Sequence, residues 1–69
     1  MTPRAYLAAA GEALYGPRWQ SALADDLGVN RKAIQRWMNG RLEIPESLPD
    51  ELRALLAARG KTIAALLAA

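Results

Sequence analysis

The chain has 69 residues and no cysteine or histidine. That excludes disulfides, thiolate zinc sites, thiol catalysis and the usual imidazole general base, so neither an enzyme nor a metal or cofactor is expected. It also limits the chain to a single domain, 1–69, and one this small buries only about 60% of its unfolded surface. The net charge of +2 is unevenly spread. Val29 to Arg41 carries four basic residues (Arg31, Lys32, Arg36, Arg41) and no acidic one, whereas the remainder holds five basic and seven acidic residues. Positive charge gathered on one element is the electrostatic footprint of a polyanion site.

Ala and Leu dominate and β-branched residues are scarce, so the expected fold class is all-α, a compact bundle of four to five helices. The opening stretch, "MTPRAYLAAAGEALYG", is too polar and too interrupted for a secretory signal. No apolar run approaches the roughly 20 residues that span a bilayer, and a cytoplasmic domain is expected. Thr2 followed by Pro3 predicts an N-cap and a first helix over about 3–15, with Leu7, Ala10 and Leu14 on its inner stripe. Gly16-Pro17 closes it, the glycine suited to a left-handed cap.

A second helix is predicted over about 18–27, with Trp19, Leu23 and Leu27 inward, and Gly28 stops it. Asn30 caps a third helix, about 31–39, which Gly40 stops in turn. Residues 41–46, "RLEIPE", read as a loop anchored by Leu42 and Ile44. Ser47 with Asp50 suggests a capping box for a fourth helix, about 48–59, bearing Leu48, Leu52, Leu55 and Leu56. Gly60 is expected to break that helix and leave a fifth over about 61–69, with Ile63, Leu66 and Leu67 on one side.

Residues 20–39, "QSALADDLGVNRKAIQRWMN", form a unit of two short helices about a glycine turn. Leu23 and Leu27 face inward, Ala24 is small where a second helix must cross, Gly28 supplies a positive φ, Val29 plugs the turn, and Ile34 and Trp37 seat the second helix. All of these fit the helix-turn-helix pattern. At about 100° per residue, Ile34, Trp37 and Met38 share one side of the third helix. Lys32, Arg36 and Asn39 lie on the other, with Gln35 beside them and Arg31 in the first turn. Arg and Lys can donate to guanine O6 and N7, and Gln can pair with adenine, so Arg31, Lys32, Gln35 and Arg36 are the expected base-reading residues.

Over residues 18–42 the chain resembles the DNA-binding domains of the lambda-repressor and Cro family, the xenobiotic-response-element type. The resemblance implies a sequence-specific regulator of double-stranded DNA, a small repressor of the phage, plasmid or mobile-element kind that controls its own operon. It implies phosphate contacts from Gln20, which opens the first motif helix, from Asn30 at the cap of the second, and from Asn39 and Arg41 around Gly40. Trp19 departs from the small polar cap usual before the glutamine, and Met38 replaces a frequent glutamate.

A recognition helix reads only a few base pairs, so a homodimer on a pseudo-palindromic operator is expected, with Ile63, Leu66 and Leu67 as its interface. The competing expectation has these three fold back on the first and fourth helices. No small-molecule effector pocket and no membrane contact are evident in the sequence. A different function remains open beside DNA binding: a helical protein-interaction module, antitoxin-like or inhibitor-like, that turns the basic face toward an acidic protein. Steep salt dependence distinguishes DNA binding from an apolar protein contact.

Overall fold

In the computed structural model, which describes residues 1–69, Thr2 begins the first helix as its sequence context predicts. Its Oγ1 accepts from the Ala5 N–H at 3.1 Å, and α1 runs Pro3–Tyr15. Gly16 ends it at φ 84°, ψ −160°, a positive φ but an extended ψ, so the chain leaves by a bend and not by the left-handed cap. Next come α2 (Trp19–Leu27), α3 (Arg31–Asn39) and α4 (Leu48–Ala68). The architecture is all-α, four helices without a strand. No helix is long and apolar enough to cross a membrane.

α1 lies against each of the other three helices, and α2 also packs on α3. The core they enclose holds Leu7 and Ala10 from α1, Trp19, Leu23 and Ala24 from α2, Ile34 and Trp37 from α3, and Leu48 and Leu52 from α4. Trp19 is therefore a core residue. It reaches the core because Gly11 of α1 is bare where the two helices meet: a Cβ there would lie 2.2 Å from the Trp19 ring. Trp19 is thus inward as its spacing predicts, and α2 begins after Arg18 with no side chain capping it.

Two expectations about α4 are corrected. Ser47 does not form a capping box. It sits at φ −75°, ψ −17°, already helical, whereas an N-cap hydroxyl reaches the next turn from the extended region. The Leu48 N–H donates to the Pro45 carbonyl instead, and Asp50 pairs with Arg53 at 2.8 Å. Nor does Gly60 break the helix. α4 runs through it as one helix of 21 residues, so no separate fifth helix exists. A mid-helix glycine costs about 1 kcal/mol relative to alanine, which weakens a helix without ending it. Gly28 and Gly40 stop their helices by turning left-handed, whereas Gly60 has no positive φ.

α4 runs alongside α1 in the same direction. The Arg53 guanidinium lies 5.6 Å from the centre of the Tyr6 ring, and Arg59 lies 5.5 Å from that of Tyr15. Arg59 Nη1 also donates to the Leu14 carbonyl at 2.7 Å. α1 ends one residue later, so the last turns of α4 project past the body. Ile63, Leu66 and Leu67 are consequently 51%, 71% and 82% exposed, and the fold-back alternative does not occur.

Candidate nucleic-acid interface

The α2–α3 unit owes its shape to three residues. Gly28 takes φ 70°, ψ 30°, the left-handed conformation that costs a residue with a Cβ about 1 kcal/mol or more. The Val29 N–H then donates to the Ala24 carbonyl at 3.0 Å, closing the end of α2. Asn30 turns the chain into α3, its Oδ1 accepting from the Lys32 N–H at 2.8 Å. At the far end Gly40 is left-handed at φ 81°. The Arg41 N–H donates both to the Arg36 carbonyl at 2.9 Å and to Asn39 Oδ1 at 3.0 Å. Both asparagines are thus held by their oxygens, and each keeps its amide Nδ2 for a second partner.

α3 divides into two faces. Ile34 is fully buried and Trp37 is 6% exposed, and these two fix the helix to the core. Lys32, Gln35, Arg36 and Asn39 are exposed on the other side. No acidic side chain neutralises this face, because the one ion pair in the structure is Arg53–Asp50 on α4. The basic groups of α3 therefore stand in solvent with their donors free, held by a helix whose orientation is set from beneath.

The remaining expected residues separate into two groups. Gln20 and Arg31 meet at the start of α2 in a polar hollow of about 560 Å³, lined with them by Pro17, Arg18 and Ser21. The first backbone N–H groups of α2 have no intrahelical acceptor, and a helix N-terminus carries a partial positive charge. With two guanidinium groups alongside, the hollow suits an oxyanion. Asn39 and Arg41 sit at the opposite end of α3, where Arg4 of α1 joins them: a Cβ on Gly40 would come within 2.9 Å of the Arg4 guanidinium. The chain matches no protein-family model, no curated protein and no solved structure.

Arg18, Ser21 and Arg4 were absent from the residues expected from sequence. Arg18 and Ser21 flank Trp19-Gln20, and only the burial of Trp19 fixes which way they face. Arg4 lies far along the chain from Gly40, and no local pattern brings the two together. Arg31, grouped with the base-reading residues by its place in the third helix, shares the hollow with Gln20.

Proposed function

We propose that this protein is a sequence-specific double-stranded DNA-binding regulator of the lambda-repressor and Cro type, a small repressor, with α2 and α3 as its helix-turn-helix and α3 lying in the major groove. The observation that carries this reading is the division of α3: an anchor of Ile34 and Trp37 beneath, and an unneutralised row of Lys32, Gln35, Arg36 and Asn39 above. A solvated surface helix would be expected to carry both signs of charge. This one carries only positive charge, with amide groups between, at base-edge spacing.

Lys32, Gln35 and Arg36 read bases. Gln20, Asn30, Asn39 and Arg41 hold phosphates at the two ends of α3. The position of Arg31 beside Gln20 and Arg18 supports a phosphate contact in place of the base contact expected from sequence. Two such anchor points, one at each end of the helix, would fix its register along the groove. The overhanging apolar stripe of α4 supports the expected dimer, and a dimer would present two copies of α3 to one pseudo-palindromic operator.

Selection of bound duplexes from a random pool, followed by titration of the enriched site against salt, tests this reading. A defined pseudo-palindromic site should emerge, and binding should weaken steeply with salt, with a log–log slope near −0.9 per phosphate neutralised. If no sequence is enriched, or if salt leaves DNA binding unchanged, the protein is not such a regulator.

A further inference from the structure

α4 packs on α1 and on no other helix. The face it presents to α1 carries Leu48, Leu52, Leu55 and Leu56, and at about 100° per residue Ile63, Leu66 and Leu67 fall on that same face. Arg59 marks where α1 runs out, donating to the Leu14 carbonyl and lying over the Tyr15 ring. From Ala57 onward every residue of α4 is exposed. The track that α1 occupies along α4 therefore stays apolar for about two further turns, and nothing in the single chain fills it.

We propose that a second copy of this chain fills that track, its own overhang laid antiparallel so that it continues the line of α1. Two helices in contact stand about 8–10 Å apart. In a parallel pair joined through this face, both α1 helices would have to enter the gap between the two copies of α4, and a gap of that width holds neither. Antiparallel pairing puts each body beyond the far end of the other's overhang and leaves the gap clear. A two-fold axis level with Ala65 then seats Ile63 of one copy between Leu66 and Leu67 of the other, as a knob between neighbours. It also keeps the two Arg59 guanidinium groups about 18 Å apart along the helix axis, where parallel pairing would set them side by side. The inference rests on the dimer of the proposed function and supplies its direction, and no DNA contact enters it.

Spin labels on single-cysteine variants test this without DNA, since the parent chain has no cysteine. Ala54→Cys, Lys61→Cys and Ala65→Cys place the label on the outer side of α4, at exposed positions away from the stripe. In the antiparallel pair the two copies of a label separate along the axis by about 3 Å for each residue between the labelled site and the two-fold. The distance between labels should therefore rise from Ala65 through Lys61 to Ala54, by about 15 Å in all. Adding Leu66→Glu and Leu67→Glu should abolish the dipolar coupling at every site. Equal distances at the three sites would mean a parallel pair and overturn the proposal alone. Coupling that survived the two glutamates, or no coupling up to millimolar protein, would overturn the proposal together with the α4 dimer. Each of these outcomes leaves the DNA contacts of α3 to their own test.

Discussion

The ring of Trp19 lies on Gly11 so closely that the α-hydrogen face of the glycine is the contact surface between α1 and α2. Glycine inside a helix ordinarily costs about 0.5–1 kcal/mol against alanine, so Gly11→Ala would normally stabilise. Here the added methyl meets the ring at 2.2 Å. Both residues are buried, and the ring cannot swing into solvent without opening the core. Overpacking of this kind costs about 1–3 kcal/mol, which outweighs the helix gain. Gly11→Ala should therefore lower the urea midpoint measured by circular dichroism. In a Trp19→Leu background, where the ring is gone, the same change should be neutral or stabilising. Equal effects in the two backgrounds would show that the contact does not limit stability.

Arg36 and Arg41 should fail in different ways when truncated. Arg36 is exposed midway along the outer face of α3, whereas Arg41 follows its left-handed cap beside Gly40. Arg36→Ala should cost about 1–3 kcal/mol on the selected operator and relax selectivity at one or two base pairs, with less loss on unrelated DNA. Arg41→Ala should weaken binding to every duplex alike and lower the salt slope by about one unit, and Arg18→Ala should behave as Arg41→Ala does. Fluorescence anisotropy on cognate and scrambled duplexes distinguishes these outcomes. A uniform loss from Arg36→Ala would make that residue a phosphate contact.

The sequence signals that proved accurate were those in which one residue sets its own backbone. Thr2 and Asn30 cap helices with their own oxygens, and Gly28 and Gly40 stop helices by taking a conformation that side chains resist. Gly60 carries the same letter, but its C-terminal neighbours decide the outcome. The residues after Gly40 turn away into a loop, whereas those after Gly60 are good helix formers, and the helix propagates through the weak point. Ser47 misled because a serine three residues before an acid caps only if its own backbone is extended, and the Pro45 turn prevents that. The Trp19–Gly11 contact and the meeting of Arg18, Gln20 and Arg31 depend on how helices cross, and no local pattern encodes them. The spacing of α3 alone sufficed to separate its buried and exposed faces, because a helix with large apolar residues at Ile34 and Trp37 can sit on a core in one way only.

Tyr15 gives the fold an alkaline limit. Its hydroxyl donates to Asp26 Oδ2, which ties the end of α1 to α2. Burial first, and then this hydrogen bond and the charge of Asp26, push its pKa up from 10.0 to about 12, with Arg59 opposing. The folded state thus holds the phenolic proton more tightly than the unfolded state. This contribution to stability is complete below pH 10 and is lost as pH rises toward about 12. Tyr15→Phe should be less stable than the parent at neutral pH, and the difference should shrink across that window. Urea unfolding at a series of pH values measures it. A difference that stayed constant through the window would mean that the Tyr15 proton is not linked to folding.

The overhang of α4 is the remaining surface that the monomer leaves unfinished. Leu48 and Leu52 are buried and Leu55 and Leu56 half-buried on one stripe, which continues through Ile63, Leu66 and Leu67 after α1 has ended. Fully burying an aliphatic side chain contributes about 1.5–3 kcal/mol. Three from each of two copies offset an association cost of about 4–15 kcal/mol only in part or narrowly, so a dimer through this stripe is expected to be weak, and DNA would tighten it by holding both copies on one operator. Ala64 and Ala65 between the apolar residues, and Ala68 after them, allow two such helices to approach closely. Sedimentation equilibrium across micromolar concentrations should show a reversible rise above the 7.5 kDa monomer mass. Leu66→Glu combined with Leu67→Glu should abolish the rise while leaving the urea midpoint of the monomer nearly unchanged, since both side chains are exposed in the single chain. The same variant should bind the operator as single copies without cooperativity. A variant that remained dimeric would put the interface elsewhere on the molecule, and a parent that bound its operator one to one without cooperativity would remove the dimer altogether.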